Sequence, residues 1–329
     1  MTCRYVSKMT PAHPVASATL RQFAISSTFR NDRSDTMSVL RIATRSSAQA
    51  RTQSTAIAEL LEATHSGLSV ELVFVDTTGD QQKDVPLHTI GGQGVFVKEV
   101  QAAVLAGRAD VAVHSAKDLP STPADGLCIG AFGQRRDPRD VLVGRALADL
   151  AIGATVATGS VRRRAQLSAL RPDLQFVELR GNIPTRLEKI PAEGSILMAA
   201  AALEILGWTE RVNEFIAVDV MVPAVGQGCV AIECRIDDEN TRSILAAIDD
   251  APSRQAVEHE RAFLAELGSG CSLPVGAYDD GEKMLVYLAS DDGKKHHFAT
   301  VPTGQSASHD ELLVAARRAA QVARDAVAG

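Results

Sequence analysis

The chain has 329 residues, 45% of them apolar and 22% charged, which is the composition of a globular protein with two or three domains. A net charge of −6 and an aromatic content of 4% argue against a general nucleic-acid binder, which needs basic surfaces and base-stacking rings. No apolar run approaches the length of a membrane helix. Five cysteines, an odd number, indicate a reducing compartment such as the cytoplasm rather than a disulfide framework.

Residues 1–36 differ from the rest of the sequence. Up to Phe29 they include three basic residues, no acidic residue and eight Ser or Thr, without helix or strand periodicity. We interpret the segment as a disordered extension, or as the result of a start codon assigned in error ahead of Met37. A basic, Ser-rich organelle transit peptide is the less favoured alternative, and the apolar core of a secretory signal is missing. The fold is expected to begin near Met37.

From Met37 onward, short β-branched runs alternate with longer amphipathic stretches. This rhythm predicts βαβ units, and hence mostly parallel sheets flanked by helices. Two short strands and a closing helix at the end predict a separate small α+β domain. The predicted strands cover 39–45, 70–76, 109–115, 154–158, 175–179, 195–199, 229–235, 283–289 and 296–301. The predicted helices cover 47–63, 184–190, 238–249 and 252–267, and two more begin at Ser160 and Ser308.

Two segments, IATRS at 42–46 and VATGS at 156–160, share the pattern apolar-Ala-Thr-x-Ser. Each is predicted to lie where a strand ends and a helix begins. A helix N-terminus offers unpaired N–H groups and a partial positive charge to an anion. Two such turns in two α/β units predict a clamshell whose halves both bind negative groups. On this pattern alone, simple helix capping by Ser and Thr is the favoured interpretation.

Residues 135–186 are a basic island in an acidic chain. They include ten arginines, no lysine and five acidic residues, a net charge of +5. The consistent choice of arginine favours bidentate pairing with carboxylate or phosphate. A solvated basic face with internal salt bridges is the alternative. Arg162, Arg163 and Arg164 point in different directions around one helix, and we expect Arg164 to be the one that faces solvent.

Cys271 is the candidate nucleophile. It lies in GSGCSLPVG, where glycines leave the backbone free to present a sulfur at a loop tip. Cys229 and Cys234 occupy opposite faces of an apolar strand pattern and are predicted to be buried packing residues. Their spacing, without a second Cys or His pair, is a poor zinc signal, so no metal site is predicted. Cys3 and Cys128 have no context that suggests chemistry.

Lys117 and Asp118, in HSAKDLP, are predicted to follow the C-terminal end of a strand, where the sites of α/β proteins usually form. A carboxylate there can stabilise a developing cation or pass a proton to a leaving amine. The alternative, and the default for an isolated Lys-Asp pair, is a turn-capping aspartate beside an exposed lysine.

Eight motifs in one order make the chain resemble the porphobilinogen deaminase family from about Leu40 to Gly276. Each motif alone is moderately specific, but eight in sequence over more than two hundred residues are very specific. They are RIATRSS (41–47), TTGD…GGQGVFVKE (77–99), ADVAVHSAKDLP (109–120), DPRDVLV (137–143), ATGSVRRRAQL (157–167), LRGNIPTR (179–186), VPAVGQGCVAIECR (222–235) and ERAFLAELGSGCSLPVG (260–276).

The resemblance implies an α/β fold with two periplasmic-binding-protein-like clamshell domains plus a small α+β C-terminal domain. Residues 37–133 with 229–246 would form the first domain and 134–228 the second. Residues 247–329 would form the third domain, which carries the cofactor cysteine.

The resemblance also implies a transferase of tetrapyrrole and haem biosynthesis, hydroxymethylbilane synthase. Four porphobilinogen molecules would condense stepwise, with loss of ammonia, into the linear tetrapyrrole hydroxymethylbilane. The product would be built on a dipyrromethane cofactor held by a thioether on Cys271, and would pass to uroporphyrinogen III synthase. We expect a cytoplasmic monomer with no nucleic-acid or membrane partner.

By motif position, Asp118 matches the catalytic aspartate, which stabilises pyrrole N–H groups and positive intermediates. Each pyrrole carries an acetate and a propionate, so the bound chain is a polyanion that suits a cleft of arginines. Phe96 matches a lid phenylalanine that packs near the cofactor. The matched cofactor-binding residues are Cys271, Lys117, Asp118, Ser160, Arg162, Arg163 and Arg186. The matched substrate-binding residues are Arg45, Ser47, Arg180, Arg186 and Phe96.

The chain departs from the family's pattern at several cleft positions. Family members often have lysines at the positions of Thr89 and Gln93, a serine at Gly159 and a basic residue at Ile205. Up to three cationic groups are therefore missing, which affects the expected substrate affinity rather than the reaction type. The candidates to compensate are Arg136 and Arg164.

Two other classes of function remain as alternatives. A clamshell protein that binds a polycarboxylate without catalysis is the runner-up, although such a protein has no need of Cys271. A nucleic-acid binder with a basic cleft is third, and it is disfavoured by the acidic body of the chain and its few aromatic residues.

Overall fold

The protein is described by a computed structural model in which residues 38–77, 97–268, 273–304 and 307–328 are placed. Within these ranges the chain forms two five-stranded sheets, one three-stranded sheet and eight α-helices. None of the placed helices is long and apolar enough to cross a membrane. Residues 1–36, with the three interpretations weighed for them, lie outside the described residues.

The first sheet combines parallel and antiparallel pairing. Its strands are β1 (Ser38–Arg45), β2 (Leu68–Val75), β3 (Val111–Ser115), β4 (Leu127–Phe132) and β10 (Val230–Arg235). They follow the order β2-β1-β3-β10-β4. β1 pairs in parallel with β2 and β3, whereas β10 pairs antiparallel with β3 and β4.

The second sheet repeats this pattern. Its strands are β5 (Asp140–Val143), β6 (Thr155–Ala157), β7 (Gln175–Val177), β8 (Ser195–Ala199) and β9 (Glu214–Phe215). They follow the order β7-β6-β8-β5-β9. β6 pairs in parallel with β7 and β8, and β5 pairs antiparallel with β8 and β9.

The chain crosses twice between these sheets, from β4 to β5 and back from β9 to β10. β5 and β10 are the first strands after the two crossings. No crossover helix precedes either strand, and each runs antiparallel to its neighbours. The expectation of mostly parallel sheets is therefore wrong, because it considered only the βαβ units. The predicted fold class, two α/β halves of a clamshell with a small α+β domain, is confirmed. The residue boundaries of the domains stay a prediction.

Helices pack around the sheets through apolar faces. On the first helix, Ile57 and Leu61 lie one turn apart and join the core with Leu40 and Val113 of the sheet. The helices are α1 (Ala48–Thr64), α2 (Lys98–Leu105), α3 (Val161–Leu170), α4 (Ile183–Leu187), α5 (Ala200–Glu204), α6 (Glu239–Ala246), α7 (Ala251–Leu267) and α8 (His309–Ala328).

The third sheet and two long helices form the small C-terminal unit. Its antiparallel strands are β11 (Val275–Asp279), β12 (Lys283–Ala289) and β13 (His296–Pro302). Phe263 of α7 and Ala316 and Ala320 of α8 pack with Met284 and Val286 of β12. Tyr287, next along β12, packs instead in a cluster with Ala165 of α3 and Val222. The unit therefore has a core of its own, and it also makes an apolar contact with a helix that flanks the second sheet.

Helix α7 begins and ends at clear sequence signals. The Asp250 side chain accepts a hydrogen bond from the Ser253 N–H, which satisfies one unpaired donor of the first turn. Gly268 follows the last turn with φ 69°, a left-handed conformation that favours glycine. The helix therefore ends four residues before Cys271, which lies outside the described residues.

One buried carboxylate connects the two crossings, α7 and the third sheet. Glu260 of α7 has no exposed surface and accepts hydrogen bonds from Arg135 Nη1 at 2.5 Å and Arg135 Nη2 at 3.2 Å. It also accepts from the backbone N–H groups of Gly226 at 2.7 Å and Asp279 at 2.9 Å. Arg135 lies in the first crossing and Gly226 in the second. The three units of the fold therefore meet at this side chain.

Replacing Glu260 should destabilise the whole fold. In Glu260→Gln the Arg135 guanidinium stays buried without a counter-charge, and we expect the free energy of unfolding to fall by about 3–5 kcal/mol. Urea unfolding measures the loss. Arg145→Gln is the control, because it removes an ion pair with Glu193 that is exposed on both sides; its cost should stay below about 1 kcal/mol. Equal losses in the two variants would contradict the role given to Glu260.

Candidate functional site

A cavity of about 930 Å³ is lined by both halves of the fold and by residues of the third unit. Its walls come from the turns that follow β1, β3 and β6, from the loop before α4, and from Leu264 and Leu273 on either side of the undescribed residues 269–272. It contains every predicted site residue that the structure describes: Arg45, Ser47, Lys117, Asp118, Ser160, Arg162, Arg163, Arg180 and Arg186. The two other predicted residues, Phe96 and Cys271, lie outside the described residues.

The two segments that share the pattern apolar-Ala-Thr-x-Ser both lead from a strand into a helix at the cavity wall, as predicted. Ser47 caps α1 by accepting a hydrogen bond from the Ala50 N–H at 3.3 Å. Ser160 caps α3 by accepting one from the Arg163 N–H at 3.4 Å. Both serines also line the cavity. Capping and anion binding are therefore compatible here, because each cap leaves other N–H groups of the first turn directed at the cavity end of its helix.

Asp140 organises the arginines of α3. It is the first residue of β5, has no exposed surface, and lies 2.6 Å from Arg162 Nη1 and 2.8 Å from Arg163 Nη2. Arg162 Nη1 also donates to the Val222 carbonyl, and Arg163 Nη1 donates to the Leu197 carbonyl. The two guanidinium groups are therefore fixed in position before any ligand binds. Because one carboxylate faces two cations, the cluster keeps a net positive charge.

The electrostatics of this cluster follow from burial and pairing. Burial opposes the charge of Asp140, but the Arg162 and Arg163 guanidiniums outweigh it and hold the pKa of Asp140 well below its usual range. Burial lowers the pKa of Arg163, which Arg162 lowers further and Asp140 partly restores. The cluster is a buried, ionised unit whose members depend on one another.

Arg164 lies on the other side of the same helix, as predicted. Its side chain is 47% exposed and lies 4.0 Å from Glu178, an ion pair at the surface. Arg162 and Arg163, by contrast, are 4% and 7% exposed. Both guanidinium groups are buried against Asp140, so we expect the removal of either one to leave buried charge unpaired and to lower stability.

Gln227 links this cluster to Lys117. Its Nε2 donates to Asp140 Oδ1 at 2.9 Å, and its Oε1 accepts from Lys117 Nζ at 3.4 Å. Burial, together with the nearby Arg163, lowers the pKa of Lys117 to about 8, although Asp118 and Asp140 oppose the shift. Lys117 forms no ion pair within the described residues. Its ammonium is therefore held at a cost that a bound anion would offset.

Arg186 is a second cation that the described residues leave without a carboxylate partner. Its Nε donates to the Gly181 carbonyl at 2.8 Å, which sets the direction of the guanidinium. Burial lowers the pKa of Arg186 to about 10, with further contributions from Arg163 and Arg180. Burial, and after it the neighbouring like charges, lowers the pKa values of Lys117 and Arg186, and a cluster of such cations is what an anion-binding site requires.

Asp118 ends a short 3-10 turn (Ala116–Asp118) directly after β3, at the C-terminal edge of the first sheet. It is half-buried and lines the cavity. Its carboxylate takes part in no hydrogen bond or ion pair with the described residues, so it does not cap the turn. The alternative interpretation of Asp118 as a turn cap therefore finds no support in the geometry.

Two departures from the family's pattern, Gly159 and Ile205, lie within the described residues. A Cβ at Gly159 would lie 2.8 Å from the Leu179 carbonyl oxygen and 2.9 Å from Glu178 Oε1, so a larger residue does not fit without a shift. Ile205 lines a second cavity of about 640 Å³ together with Arg136, whose Nη1 is paired with Glu204 at 2.8 Å. Arg136 and Arg164, the candidates to compensate for the missing cationic groups, do not line the larger cavity.

Two of the described cysteines, Cys229 and Cys234, lie in the core. Cys229 and Cys234 are 2% and 0% exposed, and burial raises the pKa of each to about 12. Thiols this far from ionisation are poor nucleophiles near neutral pH. The prediction that both are packing residues is confirmed. Among the described residues no group of His, Cys, Asp and Glu side chains is arranged to hold a metal ion.

Sequence reasoning missed Asp140 and Gln227, and with them the framework of the site. The signal for Asp140 is a charged residue at the start of DVLV, an apolar run whose four residues are all buried. A carboxylate in that position requires a cationic partner, and the three consecutive arginines supply it.

Comparison with known proteins agrees with this geometry. The family model of the porphobilinogen deaminase dipyrromethane cofactor binding domain matches residues 40–243, and that of the porphobilinogen deaminase C-terminal domain matches residues 254–313. The chain belongs to the porphobilinogen deaminase family. It is thus a biosynthetic enzyme of the transferase kind.

Individual relatives cover most of the chain. The porphobilinogen deaminase of Roseiflexus castenholzii is 45% identical over 85% of this chain and 97% of its own length. That of Brevibacillus brevis is 42% identical over 88% and 96%. Among solved structures, the methionine binding protein MetQ matches with a TM-score of 0.42 and 14% identity, over 68% of this chain and 94% of its own. The periplasmic VFT2 domain of Bordetella pertussis BvgS matches with a TM-score of 0.38 and 18% identity, over 64% and 86%.

Two arginines of α3, one buried and one exposed, allow a test of whether Asp140 needs its buried arginine partners for stability. Arg162→Met leaves Asp140 underpaired in the interior and should lower the free energy of unfolding by about 3–5 kcal/mol. Arg164→Met, on the exposed side of α3, should change it by less than about 0.5 kcal/mol. Urea unfolding of both variants gives the comparison. Similar losses for the two would show that Arg162 is not the buried partner of Asp140.

The lowered pKa of Lys117 predicts a pH-dependent stability. Between about pH 8 and 10.5 the unfolded chain holds a proton on Lys117 that the folded chain releases, so folding becomes more favourable as the pH rises. Lys117→Met should therefore be more stable than wild type at pH 7, by on the order of 2 kcal/mol. The difference should shrink as the pH approaches 10.5. Unfolding curves at several pH values measure it, and a difference independent of pH would exclude the shift.

Proposed function

We propose that the chain catalyses the hydroxymethylbilane synthase reaction. Four porphobilinogen molecules condense stepwise, with loss of ammonia, into the linear tetrapyrrole hydroxymethylbilane, on a dipyrromethane cofactor joined to Cys271 by a thioether. The observation that carries the proposal is a carboxylate, Asp118, that forms no hydrogen bond or ion pair with the described residues. It lies in a cleft of fixed cations, in a chain of the porphobilinogen deaminase family.

The residues of the cleft fit a dipyrromethane group. Two pyrrole rings bring four carboxylates, and the cleft offers Lys117, Arg186, the positive cluster around Asp140 and the N-termini of α1 and α3. Lys117 and Arg186 have pKa values lowered by burial, so a carboxylate that pairs with them stabilises both partners. When bound, the group supplies the pyrrole carbon to which the first substrate is joined.

The position of Cys271 in the chain agrees with attachment at this cleft. Leu264, before the undescribed residues, and Leu273 and Val275, after them, all line the cavity. In the sequence, a single residue, Ser272, separates Cys271 from Leu273. The raised pKa values of Cys229 and Cys234 make them poor competitors for the attachment.

Asp118 is proposed to stabilise positive charge during each condensation. Loss of ammonia from porphobilinogen leaves a cation, and each coupling of two pyrroles produces another. A fixed carboxylate in a cleft with little water stabilises such cations by several kcal/mol more than bulk solvent does. Asp118 is free to act in this way, since no described residue holds its oxygen atoms.

The cations of the cleft are proposed to bind the carboxylates of the growing chain. Every added pyrrole brings an acetate and a propionate, so negative charge accumulates as the chain grows. Arg162 and Arg163 are fixed by Asp140 and provide a constant positive field. Arg45, Arg180 and Arg186 approach the same cavity from other elements and are proposed to bind carboxylates of substrate and product. Phe96 is proposed to cover the cofactor.

Several finer points are part of the same proposal. The enzyme class is that of the deaminating hydroxymethylbilane synthase, and the product passes to uroporphyrinogen III synthase. We propose a cytoplasmic monomer, on the family resemblance and the cysteine content of the sequence. The domains are proposed to comprise 37–133 with 229–246, 134–228 and 247–329.

The anchor is tested by mass spectrometry of the intact chain. Wild type should carry the added mass of two pyrrole units, and Cys271→Ser should fold without it, because a hydroxyl is a much poorer nucleophile than a thiolate. Cys229→Ser is the matched control and should keep the adduct. An adduct that persists in Cys271→Ser would contradict the assignment of the anchor.

The role of Asp118 is tested by changing its charge and its reach separately. Asp118→Asn keeps the shape and removes the charge, and turnover should fall by roughly two to three orders of magnitude. Asp118→Glu moves the charge by about one methylene and should retain part of the activity. Stability should hardly change in either variant, because the carboxylate holds no described group.

Product formation and the thermal midpoint are measured on both Asp118 variants. A folded Asp118→Asn protein with turnover close to wild type would end the catalytic claim. Parallel losses of stability in both variants, with normal activity per folded molecule, would instead support a structural role.

A further inference from the structure

Two thiols face each other across the outer part of the first sheet. Cys128 of β4 and Cys234 of β10 are directly paired residues of the antiparallel ladder. Their sulfur atoms lie 3.8 Å apart. Cys234 has no exposed surface, whereas Cys128 is half-buried and packs against the same core cluster. The pair therefore combines a fully buried cysteine with a neighbouring cysteine that keeps some exposed surface.

The backbone geometry at this pair suits a disulfide. Directly opposite residues of an antiparallel pair have Cα atoms about 4.5–5.5 Å apart, within the range of about 4.4–6.8 Å that disulfides require. The sulfur atoms need to approach from 3.8 Å to about 2.05 Å, which side-chain rotation can provide without movement of the strands. Cys229 is not part of this arrangement, because its thiol donates to the Gly133 carbonyl and belongs to another core cluster.

We propose that Cys128 and Cys234 are a modification site for a peroxide, which converts the two thiols into an intramolecular disulfide. The Cys128 thiol releases its proton, the thiolate attacks hydrogen peroxide, and the O–O bond breaks to give a sulfenic acid and hydroxide, which takes up the released proton to form one water. The Cys234 thiol then attacks the sulfenic sulfur, the S–O bond breaks, and a second water leaves with the Cys234 proton. Both sulfurs are oxidised together by two electrons, and the peroxide is reduced to two waters.

The order of the two steps follows from exposure. Cys128 meets the oxidant first because it is half-buried rather than fully enclosed. Burial raises the pKa of Cys234 to about 12, and the neighbouring Cys128 adds to the shift, so this thiol reacts slowly with oxidants from solution. Within the pair, however, its sulfur is already in contact with its partner, and a reaction between groups held together is strongly favoured.

The bond would connect residues 106 positions apart in the chain, on the strands next to the two crossings. Such a link restricts the unfolded chain and raises stability. Neither cysteine lines the cleft, so the cleft residues keep their positions in the oxidised protein. The expected effect is a more stable protein with nearly unchanged activity.

The test uses the full chain, freed of reductant and treated with hydrogen peroxide. We expect the intact mass to fall by two hydrogens, the peptides that contain Cys128 and Cys234 to be recovered joined, and the thermal midpoint to rise by a few degrees. Dithiothreitol should reverse all three changes. Cys128→Ser should show none of them, and Cys229→Ser, which alters another buried cysteine of the same region, should show all.

Counting free thiols in unfolded wild-type protein makes the outcome independent of the variants. Two thiols lost, both assigned to Cys128 and Cys234, support the proposal. Joined peptides that contain Cys229 would overturn it, as would a Cys128 oxidised to the sulfinic acid with Cys234 still free. Full retention of both thiols after peroxide treatment would overturn it as well.

Discussion

The cleft depends on a buried carboxylate that is never exposed to solvent. Asp140 opens an apolar strand of the second sheet and binds the guanidinium groups of Arg162 and Arg163. Without it, two adjacent cations could not be kept in the interior, because their mutual repulsion and loss of hydration would exceed what packing returns. With it, the pair is fixed and still positive. Gln227 extends the network to Lys117, beside Asp118. Stability of the second half and anion binding therefore depend on the same residue.

The arrangement separates two kinds of charge by function. Arg162 and Arg163 are paired inside the protein and contribute a constant field. Lys117 and Arg186 have no ion pair among the described residues, and burial lowers the pKa values of both. These two cations are held at an energetic cost that a bound carboxylate removes, which is a common trade of stability for function. Asp118, in the same cavity, forms no hydrogen bond or ion pair with the described residues, which suits the role proposed for it.

Local signals in the sequence predicted much of the fold and of the cleft, but they did not predict pairings between residues that are distant in the chain. The strand-to-helix turns at Ser47 and Ser160 were predictable because caps and periodicity act over a few residues. The antiparallel course of β5 and β10 was not, because it depends on where the chain crosses between the sheets. Nor could the pairing of Arg135 with Glu260 be read from the sequence, since 125 positions separate them. Spacing alone also gave no indication that Arg162 and Arg163 are buried.

Rapid-quench mass spectrometry of the intact wild-type chain, mixed with porphobilinogen, tests the proposed activity most directly. Before mixing, the chain should carry the covalent mass of two pyrrole units. Within a turnover, species heavier by one, two and three further units should appear and then decay as hydroxymethylbilane is released. The contradicting result is a chain that carries no covalent pyrrole and binds porphobilinogen without any change in covalent mass. That result would exclude the proposed catalytic activity and support the alternative of a clamshell binding protein.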